Sequence, residues 1–128
     1  MDIEKLKNLD KLPPDIRREF ALLANKYGQK KKQSEIRDDF MAFVKHMWPD
    51  FIEGSHHKRV AKKFNDIANG KVKRVIINMA PRHTKSEFAS YLLPAWMVGR
   101  NPKLKIIQST NTTELSVRFG RKAKALID

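Results

Sequence analysis

The sequence predicts an α/β fold: the opening part of a parallel sheet, about two strands of it, preceded by a helical segment. Three observations predict it. Apolar residues recur at helical spacing from residue 14 to residue 70. A short continuous β-branched run, Val75-Ile76-Ile77, then marks a strand of the kind that is buried on both faces. A second such run, around Ile106-Ile107, follows a helical stretch long enough to be a crossover, which implies parallel strands with right-handed connections.

Taken in order, residues 1–12 are mixed and charged, and fraying is expected there. Pro13-Pro14-Asp15 opens a helix with Ile16, Phe20, Leu23, Ala24 and Tyr27 on one face, and Gly28 is its natural stop. The basic run Gln29-Lys30-Lys31-Lys32-Gln33 is either a solvated linker or a grip on phosphates. Either way it separates an N-terminal arm, 1–33, from a domain starting at residue 34 and running to 128. Ser34 is a plausible cap for a second helix carrying Ile36, Phe40, Phe43, Val44 and Met47, which ends at Trp48-Pro49. Ser55 caps a third, with Val60, Ala61, Phe64, Ile67 and Ala68 inward and Asn69-Gly70 as its terminator. A strand follows over Lys73–Met79. The helix over Lys85–Val98 places Phe88, Leu92 and Trp96 four apart, with Pro94 expected to kink or split it. After Gly99-Arg100-Asn101-Pro102 come a second strand, Leu104–Ser109, and a last helix. Asn111 and Glu114 give that helix its start signature, and Leu115, Phe119, Ala123 and Leu126 its buried face.

Composition narrows the function. The 27 Lys and Arg against 14 Asp and Glu give a formal charge of +13, which favours a polyanionic partner such as nucleic acid. Cysteine is absent, which excludes a disulfide framework, a cysteine-ligated zinc and a cysteine nucleophile. No apolar run approaches spanning length, and the start, Met-Asp-Ile-Glu-Lys-Leu, lacks a signal-peptide core. A soluble, intracellular chain with no membrane partner is expected.

The chemistry lies where the first strand meets the next helix. Residues 79–86, Met-Ala-Pro-Arg-His-Thr-Lys-Ser, have the length of the phosphate-loop pattern GxxxxGK(S/T), with Met79 and Thr84 in the two glycine positions. The first N–H groups of a helix and its dipole attract anions. Lys85 adds a positive charge for β and γ phosphates, Ser86 a hydroxyl of the type that binds Mg²⁺, and Arg82 a guanidinium for a γ-phosphate. Thr84 is β-branched and poorly suited to the positive φ that glycine adopts there, so weakened nucleotide affinity is expected, relieved by Thr84→Gly. The competing possibility is a plain turn with an incidental Lys-Ser.

Several stretches together carry a resemblance: His-His-Lys-Arg-Val-Ala-Lys-Lys-Phe from His56, Arg-Val-Ile-Ile-Asn-Met-Ala-Pro-Arg-His-Thr-Lys-Ser-Glu from Arg74, Pro-Ala-Trp-Met-Val-Gly-Arg-Asn-Pro from Pro94, and Arg-Phe-Gly-Arg-Lys from Arg118. The chain resembles the large terminase subunit of tailed phages and prophages, whose loop commonly has Pro-Pro-Arg-His-Gly-Lys-Ser-Glu. Arg82, His83, Lys85, Ser86 and Glu87 fit that loop, and Thr84 departs at its glycine. The resemblance implies a P-loop NTPase-type ATPase domain that uses ATP and Mg²⁺ to drive double-stranded DNA into a procapsid in the host cytoplasm. It further implies a portal protein and a small terminase subunit as partners, a homo-oligomeric ring at full length, and a following nuclease domain. It assigns Met79, Ala80, Pro81, Arg82, His83, Thr84, Lys85 and Ser86 to the nucleotide, Ser86 to Mg²⁺, Arg82 to the γ-phosphate as a cis arginine, and His57 to the adenine side.

After Ser86 the acids are Glu87, Glu114 and Asp128, none at the end of an apolar strand. The carboxylates that hold Mg²⁺ and activate water in such enzymes are therefore expected outside this sequence, and the chain is expected to be an N-terminal piece without ATPase activity of its own. Two alternatives stand beside it: a small basic non-catalytic nucleic-acid-binding protein, and a piece of another P-loop ATPase of helicase-like type.

Overall fold

The computed structural model describes residues 13–127, so the fraying expected over 1–12 lies outside the described residues. The chain divides into two compact units, Met1–Ser34 and Glu35–Asp128. Within the first lies most of α1 (Pro14–Asp38), whose side chains are almost all exposed, the Ile16, Leu23 and Tyr27 stripe included. Gly28 does not stop this helix. Its φ is not positive, so it makes no left-handed cap, and the good helix formers after it, Gln29 to Gln33, continue the ladder. The basic run and Ser34 are thus helical rather than linker and cap.

The second unit is a helical assembly around one core. It contains the last turn of α1, then α2 (Phe40–Met47), α3 (Ser55–Ala68), α4 (Lys85–Glu87), a π turn (Phe88–Leu92), α5 (Leu93–Arg100) and α6 (Thr113–Lys124). Asp39 supplies the break that Ser34 does not. Its extended backbone ends α1, and its Oδ2 accepts the Ala42 N–H at 2.8 Å, a side-chain cap on α2. Asn65 of α3 completes this joint, donating from Nδ2 to Asp39 Oδ1 and accepting the Phe40 N–H at 2.9 Å. An Asn65→Ala substitution strands a half-buried backbone donor and one carboxylate oxygen. It is expected to cost about 1–3 kcal/mol in urea unfolding.

Helix α3 ends as its sequence requires. Gly70, at φ +72°, donates to Ile67 O and Lys71 to Asp66 O, both at 2.9 Å, which closes the helix with a left-handed glycine. Pro94 neither splits nor sharply breaks the next helix. It has no N–H for Ser90 O, and the residues before it widen into the π turn, where Leu93 N–H reaches Phe88 O. α4, the π turn and α5 therefore follow one another without interruption.

The core consists of Phe40, Met41, Phe43 and Val44 from α2, Ala61 and Phe64 from α3, Phe88 and Leu92 from the π turn, and Ala95 and Trp96 from α5. Trp96 donates from Nε1 to Ile36 O at 3.0 Å, which fastens the end of α1 to the same core. α6 caps its start with Thr112, not Asn111, and buries no residue fully. Leu115, expected inside, is exposed.

The predicted α/β class is overturned: the described residues contain no strand and no sheet, and the unit is helical. Residues 73–80 and 104–110 are irregular. Val75 and Ile77 are half-buried while Ile76 is 90% exposed, and Ile107 is 98% exposed, so each run keeps strand-like composition without a hydrogen-bonded neighbour. Among the described residues no helix is long and apolar enough to cross a membrane.

Candidate functional site

The loop from Met79 to Ser86 joins the first irregular run to the start of α4. Met79 and Thr84 are half-buried, whereas Ala80, Pro81, Arg82, His83, Lys85 and Ser86 are exposed, so the Arg82 and Lys85 side chains and the Ser86 hydroxyl are each open to solvent. Two non-glycine residues here have left-handed backbone, Arg82 at φ 63° and Thr84 at φ 55°, ψ 15°. Each such residue costs about 1 kcal/mol or more and persists only where its surroundings enforce it. The position where a glycine was missed in the pattern is therefore held in the conformation a glycine would take.

The enforcement is visible at Thr84. Its Oγ1 lies 2.8 Å from His57 Nε2 and 2.7 Å from His83 O. His57 is 7% exposed, and its Nδ1 accepts the Gly54 N–H at 2.9 Å. That bond makes Nδ1 the unprotonated nitrogen. Nε2–H then donates to Thr84 Oγ1, and the threonine hydroxyl donates to His83 O, a chain in which every donor meets an acceptor. His83 in turn lies 2.9 Å, through Nδ1, from Pro81 O, which its N–H satisfies across the tip of the loop.

His57 reaches the loop because it occupies the first turn of α3 and caps it at Gly54. Phe51 and Phe88 pack on its ring at centroid distances of 4.8 and 5.3 Å, and His56 lies at 3.8 Å. Burial, then the neighbouring His56 and His83 side chains, hold its pKa below the ordinary histidine value of 6.5, with Glu53 and the His83 backbone carbonyl opposing. It is therefore neutral at pH 7, with both nitrogens engaged by the protein. The sequence pointed to His57 for the adenine side. What it missed is the bond to Thr84, twenty-seven positions on, for which no local spacing gives a signal.

After Thr84 the first intrahelical bond is Phe88 N–H to Thr84 O at 2.9 Å, so the Lys85, Ser86 and Glu87 N–H groups precede the ladder and are directed at the loop. Along the run that leads into the loop lies a groove of about 290 Å³ lined by His56, Arg59, Val60, Lys63 and residues 75–79. Among the described residues no group of three His, Cys, Asp or Glu is placed to hold a metal. Comparison with protein-family models, curated proteins and solved structures gives no match, so the chemistry rests on this geometry.

Proposed function

We propose that residues 79–86 bind the phosphates of ATP, as the nucleotide site of a DNA-handling protein like the terminase large subunit that the sequence resembles. The observation that carries this is the left-handed Thr84 immediately before Lys85 and Ser86, which curls the backbone as a glycine would and leaves the N–H groups of the first turn beside an exposed ammonium. Lys85 neutralises phosphate charge, and Arg82 extends it toward the terminal phosphate. For Mg²⁺ the chain offers one group here, the exposed Ser86 hydroxyl, which fits an ion held otherwise by phosphate oxygens and water. The ion would draw charge from the phosphates. These residues hold and orient the nucleotide; binding, not hydrolysis, is the activity proposed for them.

Double-stranded DNA is the proposed polyanionic partner. α6 carries Arg118, Arg121, Lys122 and Lys124, and the chain as a whole is +13. Calorimetry with MgATP, MgADP and MgAMP tests the nucleotide site: affinity is expected to fall in that order, because phosphates and not the base supply the contacts. Equal binding of AMP, or no heat with ATP, would sink it. DNA binding measured between 50 and 200 mM salt is expected to weaken steeply, by about 10³-fold if roughly six phosphates are contacted. If Lys85→Ala leaves DNA affinity intact and ATP has no effect on it, the plain nucleic-acid-binding alternative is favoured.

A further inference from the structure

We infer that His57 is a positioning residue for the phosphate loop: through the Thr84 hydroxyl it holds the left-handed turn that a glycine would adopt unaided, so the loop is latched by a side chain instead of being permitted by the lack of one. This rests on the phosphate-binding reading above and adds to it a residue and a pH dependence.

The latch follows from bonds already described. With Nδ1 committed to the Gly54 N–H, His57 has one proton to give, and it goes from Nε2 to Thr84 Oγ1. The Thr84 hydroxyl in turn donates a hydrogen bond to His83 O, which fixes the peptide preceding the strained residue. The position of the imidazole is itself built in. A Cβ on Gly54 would lie 2.7 Å from His56 Cε1, so a side chain there would displace the His56 ring that packs on His57 at 3.8 Å. Phe51 and Phe88 close the remaining sides.

Protonation undoes this arrangement. A second proton on Nδ1 would face the Gly54 N–H, donor against donor, and the imidazolium would lie beside His56, whose buried Nε2 has no hydrogen-bond partner among the described residues, and near His83. Among the described residues the acid acting on it is Glu53, which is itself engaged by Lys45 at 2.6 Å. Because the folded-state pKa lies below 6.5, the neutral form's contribution is complete above that value and is lost as pH falls through it toward the lower folded value. The loop is therefore set for binding at neutral pH and released in acid.

The test has two arms on the full chain. Imidazole ¹⁵N NMR should show His57 at pH 7.5 as the Nε2–H tautomer, and Thr84 should give the strong intraresidue HN–Hα NOE of a positive φ, without any nucleotide. An Nδ1–H tautomer or a weak NOE overturns the latch. In the second arm MgATP affinity is measured at pH 7.5 and 5.5. Thr84→Val, which keeps the strain and removes the hydroxyl, should bind roughly tenfold more weakly, the loss of about one hydrogen bond's worth. Thr84→Ser, which keeps the hydroxyl, should recover most of that. His57→Ala should also lose roughly tenfold. Adding Thr84→Gly to His57→Ala should recover it, since glycine needs no latch, and should remove the part of the acid sensitivity that His57 supplies. A Thr84→Val protein that binds like the parent, or a glycine that fails to rescue His57→Ala, overturns the inference. If the parent protein binds no MgATP, the phosphate reading falls, and the NMR arm still decides the latch.

Discussion

Replacing Lys85 by alanine is expected to weaken MgATP binding by about 30- to 100-fold while leaving the melting transition unchanged. Lys85 is exposed at the first position of α4 and takes no part in the core, so its truncation removes a charge and little packing. A charge-assisted hydrogen bond to phosphate contributes about 1.5–3 kcal/mol, and 2–3 kcal/mol corresponds to the factor given. A chain with formal charge +13 attracts any polyphosphate loosely, so the comparison belongs at about 0.3 M salt, where diffuse attraction is screened and contact bonds survive. Lys85→Arg should restore part of the loss, because the charge returns on a planar fork instead of a compact ammonium. Titration calorimetry gives the affinities and a thermal melt gives the control. An alanine variant that binds as the parent does would place the nucleotide elsewhere and leave the loop an ordinary turn.

How far the sequence foretold this molecule depends on the range of the interaction concerned. The inward faces of α2 and α3 were legible, since Phe40, Phe43, Val44, Ala61 and Phe64 recur at helical spacing and are buried as that spacing requires. So was the end of α3, where Asn69-Gly70 is a local stop with local hydrogen bonds. Gly28 looked alike and behaved differently, because a glycine ends a helix only when the following chain turns away, and here five residues of good helix former follow. The strands failed for a related reason. Val75-Ile76-Ile77 has β composition, but a strand is completed by a partner's N–H and C=O groups, and composition cannot state that a partner will be there.

At the candidate site the same distinction holds. The roles proposed for Lys85, Ser86 and Arg82 could be put forward from the sequence because they rest on adjacency along the chain. In the sequence Thr84 stands out as a defect of the pattern, since a β-branched residue resists positive φ. The structure shows it in that conformation all the same, with the compensating contact supplied by His57 from another helix. Thr84→Gly in the parent protein is accordingly expected to change nucleotide affinity little, because relief of strain is offset by loss of the hydroxyl bond and by greater unfolded-state freedom.

Phe40→Ala should be the most damaging single change to the fold, costing about 3–5 kcal/mol in urea unfolding. Phe40 is 0% exposed and sits at the junction of the core. Its ring meets Phe64, Phe88 and Trp96 edge to face at centroid distances of 5.1, 5.5 and 5.4 Å. These partners come from α3, the π turn and α5, so no single helix can shift to fill the hole without leaving the others. Domains of this size have total stabilities of about 5–15 kcal/mol, so the loss is a large fraction of what holds the unit together. Phe40→Leu, which retains most of the volume, should cost less than half as much, and the fluorescence of Trp96 against the ring position provides a local probe beside circular dichroism. A cost below about 1 kcal/mol for alanine would mean that the four elements are not packed around this ring. The core also reaches the loop: Phe88 follows Lys85-Ser86-Glu87 directly and packs on His57 as well as on Phe40. Phe40→Ala is therefore expected to weaken MgATP binding together with stability, whereas Lys85→Ala is expected to weaken binding alone, and that contrast separates the residues that build the loop from the one proposed to meet the phosphate.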